Sequence, residues 1–173
     1  MIELTSKRLK LRQWHKNDVA AYTELCSDLN VMQHLTGKAF NRLESWRHLA
    51  FLMGHWQING FGQWAVEDLA SGEFMGRIGF MQPEGWPGFE IGWVLAKRFW
   101  GNGFATEGAR CALDYAFGQM GKTEVVSVIH PGNMASKKVA QRLGEQFLRH
   151  ERLIGVEVEI WGMDKAQYLA NAR

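Results

Sequence analysis

Cysteine is scarce, with two in 173 residues, and the chain has no run of lysine or arginine, no internal repeat and no low-complexity segment. Each absence removes a class of protein. Cys26 and Cys111 are far apart and both lie in apolar helical patterns, so they read as small core residues in a reducing compartment and not as a disulfide, a metal site or a nucleophile. Missing too are a signal-peptide pattern and an apolar run of about 18 residues, so the expectation is a cytoplasmic protein with no membrane span. Twenty basic residues face eighteen acidic ones for a net charge of +2, and the charges are scattered, which argues against nucleic acid or a membrane surface as partner. What remains, 46% hydrophobic and 22% charged residues, suits one domain, residues 1–173, with a substantial core.

Periodicity supplies the elements. Leu9-Lys10-Leu11-Arg12-Gln13 alternates as a strand; Val19, Tyr22, Cys26 and Leu29 recur at helical spacing behind Asn17-Asp18 as N-cap; Trp46, Leu49, Met53 and Trp56 mark a second helical face that stops near Asn59-Gly60. Residues 64–69, 74–81 and 89–95 read as strands joined by gaps short enough for antiparallel hairpins. A helix over 104–118, with Ala105, Ala109, Ala112, Leu113, Ala116 and Phe117 inward, precedes a strand at 125–129, a helix ending at Leu143-Gly144, and two closing strands over 146–152 and 156–163. The predicted order is β-α-α-β-β-β-α-β-α-β-β, an α/β (α+β) mixed sheet with helices on both faces.

The most informative stretch is Trp100-Gly101-Asn102-Gly103-Phe104-Ala105-Thr106. Glycine lets a backbone approach an anion closely, and the free N–H groups that open the following helix can hold a phosphate without a lysine. On its own, such a turn is equally a tight strand-to-helix connection. No acidic residue ends a strand about 20 residues further on, which removes dinucleotide binding.

With the strand before it, the helix after it, and the step Asn133-Met134-Ala135-Ser136 beyond the next strand, the chain resembles the GNAT superfamily of acetyl-CoA-dependent N-acetyltransferases, most of all the branch that acetylates ribosomal proteins. The resemblance runs from about Ser6 to Met163. It implies a binding site for acetyl-CoA as co-substrate at Trp93, Val94, Leu95, Trp100, Gly101, Asn102, Gly103, Phe104, Ala105, Thr106, Asn133 and Ser136, with no metal. In that site the main chain of 93–95, on a strand that splays from its neighbour, often through a bulge, would bond the pantetheine and polarise the thioester carbonyl. Two positions depart from the family pattern. Trp100 stands where Gln or Arg is usual, with Arg98 offering a shifted start, and Ala140 stands where many members carry a Tyr acid.

Attack of an amine on a thioester requires that a proton be taken from an ammonium and one be delivered to the leaving thiolate. An α-amine with a pKa of roughly 8 asks less of its base than a lysine at about 10.4. Glu90, on the strand that the resemblance sets beside the cofactor, is the expected base, with a solvated or ion-paired face residue as the alternative; His130, at the end of the next strand, is second. Ser136 is the expected acid in place of the missing Tyr, although a serine there also suits a helix cap. Among eight tryptophans, Trp46, Trp56, Trp86 and Trp161 are candidates for the acceptor rim, while packing alone also accounts for an indole. The expected partner beside acetyl-CoA is an amine, either a protein N-terminus or a small molecule, with a homodimer left open. A catalytically weak acyl-CoA-binding regulatory module is the competing reading.

Overall fold

Alternation along the central strands sends apolar side chains to both faces of one sheet, and a helical layer covers each. The computed structural model describes residues 2–171. In chain order these form β1 (Leu4–Thr5), β2 (Leu9–Arg12), α1 (Asp18–Ser27), α2 (Leu29–Met32), α3 (Arg42–Asn59), β3 (Gln63–Asp68), β4 (Phe74–Met81), β5 (Glu90–Leu95), a 3-10 turn (Lys97–Phe99), α4 (Phe104–Gly118), β6 (Glu124–Ile129), α5 (Met134–Leu143), β7 (Gln146–Leu153), β8 (Val156–Asp164) and α6 (Lys165–Asn171). The eight strands lie in the order β1-β2-β3-β4-β5-β6-β8-β7. The β5–β6 pair is parallel and the other neighbours are antiparallel.

On one face Leu9, Leu11, Trp64, Val66, Ile78, Phe80, Ile91 and Leu95 pack under Ala109, Ala112, Leu113, Ala116 and Phe117 of α4. The intervening positions Ala65, Met81 and Val94 pack on the opposite face under Tyr22, Leu25, Cys26, Leu49 and Leu52 of α1 and α3. That second face also carries the polar set Gln63, Arg77 and Glu90, each less than a tenth exposed, because strand residues two apart share a side.

The predicted order holds, with three additions: β1, α2 and α6. Three local expectations change. Asn17 makes no side-chain cap; Asp18 takes the N–H of His15 at 2.7 Å and both ends of the Arg12 fork at 2.7 and 2.8 Å instead. The helix from Val19 stops at Ser27, and Leu29 opens a separate turn and is exposed. In α3 the inward stripe is Ser45, Leu49, Leu52 and His55, so Trp46 and Met53 face outward. A capping box between Asn41 and Glu44 sets the start of this helix, and Gly60 at φ 72° ends it.

Candidate active site

The site begins where the sheet opens. The parallel ladder between β5 and β6 is held at Glu90↔Val126, with Val126 N–H on Phe89 O at 3.0 Å and the Ser127 hydroxyl on Ile91 O at 2.9 Å. Beyond that point the strands part, and β5 stays paired to β4 in continuous register from Glu90 to Leu95. The expected splay is therefore present without a bulge against β4. Two cavities meet in the opening, one of ≈ 510 Å³ under α1–α3 and one of ≈ 310 Å³ above the start of α4. Both are lined by His34, Leu35, Trp93, Val94, Asn133 and Ser136.

One wall of the smaller cavity, a groove, is main chain. Gly101 and Gly103 have φ of 78° and 79°, left-handed values that glycine adopts without strain. Gly103 caps α4 with no side chain on its first N–H groups, which leaves them free for an anion. The Thr106 hydroxyl, one turn in, is buried with no partner among the described residues. Trp100, Gly101, Gly103, Phe104, Ala105 and Thr106 line the groove with Trp93, Val94 and Leu95. Asn102 does not; its amide bonds Trp100 O at 3.0 Å and its carbonyl takes Arg8 Nη2 at 3.1 Å, so it shapes the turn. The unusual Trp100 donates its indole N–H to Leu95 O at 2.8 Å, tying the turn to the end of β5.

At the junction, Asn133 Oδ1 accepts the Ser136 N–H at 3.1 Å and caps α5, which leaves its NH₂ available to a ligand. Ser136 lines both cavities. Ala140 is fully buried against Ile129 and Trp161, so that position faces the core and not the groove.

Glu90 stands in the larger cavity at the point where β5 and β6 separate. Its Oε2 accepts the Trp86 indole N–H at 2.6 Å. Burial pushes its carboxyl up to about 7, against the opposing pull of the Trp86 N–H, the Arg77 charge and the Val128 N–H. A carboxylate that titrates near neutrality is matched to proton abstraction at physiological pH. His130 lines the same cavity, but its Nδ1 accepts Gly132 N–H at 3.0 Å and its ring lies 5.2 Å from that of His34, so it is committed to the turn.

Of the four rim candidates, Trp86 lines the cavity. The others are placed elsewhere. Trp46 is exposed on the outer side of α3, Trp56 packs in the core and donates to Gln63 O at 2.9 Å, and Trp161 is buried with its N–H on Glu159.

Sequence reasoning passed over four polar residues. Arg77 is 8% exposed, lines the larger cavity and donates Nη1 to Gln63 Oε1. The Gln63 backbone is pinned by the Trp14 and Trp56 indoles at 2.8 and 2.9 Å on its carbonyl, and its Nε2 lies over Gly92, where a Cβ would meet it at 2.8 Å and Glu90 Oε1 at 3.5 Å. Behind β6, Glu145 is 3% exposed with Oε1 2.9 Å from Ser127 Oγ. Burial pushes this carboxyl up to about 8, a rise that the Glu90 charge reinforces and the Ser127 hydrogen bond opposes. Ser127 has one proton, which the Ile91 carbonyl claims; a protonated Glu145 donating to Ser127 Oγ satisfies both contacts. The available signal was a charged residue inside an apolar strand, as Arg77 is in Phe-Met-Gly-Arg-Ile-Gly-Phe-Met.

The chain matches the family described as acetyltransferase (GNAT) domain over residues 8–146. It is 34% identical to the uncharacterized protein YkkB of Bacillus subtilis, over 84% of this chain and 86% of that one. In fold it is similar to an acetyltransferase from Agrobacterium tumefaciens (TM-score 0.82, 24% identity, 94% of each chain covered). Mycobacterium smegmatis RimJ in complex with CoA-disulfide superposes with a TM-score of 0.77 at 17% identity, over 99% of this chain and 95% of that one. A strand pair that opens beside a glycine-capped helix, joined to this family match over most of the sequence, places the chain in the GNAT acetyltransferase family.

Proposed function

We propose that residues 1–173 act as one acetyl-CoA-dependent N-acetyltransferase domain in which a primary amine, a protein N-terminal α-amine or that of a small molecule, attacks the thioester directly. The observation that carries this reading is Glu90: a buried carboxyl titrating near 7, in a cavity that joins the α4 groove at Asn133 and Ser136. Acetyl-CoA, the co-substrate of this fold, supplies the acyl group as a thioester.

The groove fits that molecule. The left-handed glycines and free N–H groups at the start of α4 suit a pyrophosphate, with the unpartnered Thr106 hydroxyl beside them. The free edge of β5 at 93–95 faces the gap and offers main-chain N–H groups to a thioester carbonyl. Glu90 accepts the proton of the incoming ammonium, the new N–C bond forms as the C–S bond breaks, and Ser136, directly or through water, protonates the departing sulfur and is reprotonated by the second proton that the acylated nitrogen sheds. A CoA-binding regulatory module is favoured by one observation: among the described residues no tyrosine lines either cavity.

The test is incubation of the protein and acetyl-CoA with N-terminal peptides, amino acids, polyamines and aminoglycosides, with CoA release and product mass read together. Acetylated product is the expected result; CoA binding with no turnover of any amine would move the assignment to the regulatory module.

A further inference from the structure

A guanidinium stays charged at all physiological pH, and removing it from water without an anionic partner is expensive. Arg77 is 8% exposed, yet among the described residues it has no carboxylate oxygen within 4.0 Å. By contrast, the buried Arg12 is paired with Asp18 and Glu67. The side-chain partners of Arg77 among the described residues are neutral: Nη1 donates to Gln63 Oε1, and the guanidinium also reaches the Tyr22 hydroxyl. Apart from Glu90, whose charge acts on Arg77 across the cavity without a direct contact, its other neighbours offer no charge either. Burial holds His48 neutral, with a pKa of about 3, and raises Tyr22 and Cys26, so the groups on α1 and α3 that feel the Arg77 charge are uncharged.

The floor of the cavity connects this cation to the base. Arg77 pairs with Val94 and Met81 with Glu90, and the register pair between them on the same face is Gly79 and Gly92. Two glycines leave that stretch of sheet without side chains, and the Gln63 amide lies across it between Arg77 and Glu90. When Glu90 accepts the proton of an acceptor ammonium it becomes neutral, and Arg77 then loses the acid whose field it shares.

We propose that Arg77 receives a carboxylate of the acceptor, so that the molecule acetylated is a small amine carrying a carboxylate a few bonds from its nitrogen, as an amino acid does. This rests on the acetyltransferase reading and narrows its substrate class. The remaining donors of the planar guanidinium match a carboxylate in two-point contact, and the acceptor supplies the countercharge that the cavity lacks once Glu90 is protonated, while its nitrogen lies toward Glu90.

The test compares kcat/KM for amino acids of increasing amine-to-carboxylate separation with that of each one's carboxamide. Amidation lowers the pKa of a neighbouring amine, so a site blind to the carboxylate would favour the amide. The expected result is a preference for the acid of at least about tenfold, the value of one well-made charged contact, carried mainly in KM. In Arg77→Met the acid-to-amide ratio falls toward one, and Arg77→Lys keeps part of it. Equal or better rates with the carboxamides, a stronger preference for the matched phosphonates, or an unchanged ratio in a folded Arg77→Met would overturn the proposal. If Arg77→Met does not fold, the wild-type ratio and Arg77→Lys still decide. Failure to acetylate any amine would sink the acetyltransferase reading itself, whereas transfer to amines without a preference for the acid sinks only the carboxylate.

Discussion

The groove above α4 and the cavity beneath α1–α3 share a border at Asn133 and Ser136, but they are made of different material. The anion-binding end of the groove is built from main-chain N–H groups of one contiguous segment, the glycine turn and first turn of α4 over residues 100–106, set between β5 and α5. The cavity is built from buried polar side chains delivered by β3, β4 and β5 and lying together because alternation sets them on one face. A backbone site depends on φ and on what a Cβ would obstruct. A side-chain site depends on charge and protonation. Substitutions should separate the two halves accordingly.

The largest effect is expected at Glu90. Glu90→Gln keeps the shape and a hydrogen-bonding group for Trp86 but removes the proton acceptor, so kcat should fall by about 10²–10⁴ while the affinity for CoA stays near wild type. In the wild type the acid limb of the pH–rate profile should rise through the Glu90 value of about 7, since only the ionised carboxylate accepts a proton. A rate within about twofold of wild type across pH would remove Glu90 as the base.

Next comes the reverse case, a loss of CoA binding with the acceptor chemistry intact. Gly103→Val forces a β-branched residue to φ 79°, with its Cβ 3.8 Å from Arg8 Nη2; the conformation costs about 1–2 kcal/mol, relief of that strain would turn the first N–H groups of α4 away from the groove, and CoA affinity should drop at least tenfold. Gly60→Val is the control. Gly60 has φ 72° with open space around a built Cβ, so it carries similar strain away from either cavity and should leave CoA affinity alone. Equal CoA affinity in folded Gly103→Val, measured by calorimetry, would separate the glycine turn from phosphate binding.

The same contrast explains what the sequence made legible. Residues 100–118 were readable because the information is local: two glycines, then an apolar period that gives α4 its buried face. Glu90 was reachable through the strand on which it lies. Arg77, Gln63 and Glu145 were not, because each acquires its meaning from residues far along the chain: Gln63 from Gly92 and Arg77, and Glu145 from Ser127 and Glu90. Of the tryptophans, Trp86 does line the cavity, and Trp46 and Trp56 do not, for a related reason. Trp46 and Trp56 follow one helical stripe, but the capping box at Asn41 and the packing of Leu49 and Leu52 turn α3 so that Trp46 points to solvent.

A smaller effect, on stability instead of rate, is expected at Glu145. Its folded value of about 8 lies above the ordinary 4.5, so the folded state holds the proton more tightly than the unfolded one. The stability this contributes is fully present below about 4.5 and is lost as pH rises through about 8. Glu145→Gln keeps a donor for Ser127 and cannot ionise. Denaturant midpoints should therefore fall less between pH 6 and 9 in the variant than in the wild type, and parallel curves would show that Glu145 does not titrate in this range.

The smallest effect, and the one that links a side chain of the cavity to the tuning of the base, is at Trp86. Its indole N–H, 2.6 Å from Glu90 Oε2, stabilises the ionised carboxylate and is the leading influence that holds the Glu90 pKa down against burial. Trp86→Phe removes that donor and keeps an aromatic wall, so the Glu90 value should move above about 7 and the acid limb of kcat/KM should shift with it toward higher pH. The plateau rate at alkaline pH should change little, because the carboxylate is still present once ionised. A general loss of rate at every pH with no displacement of the limb would instead mean that the indole shapes the acceptor cavity and leaves the base untuned.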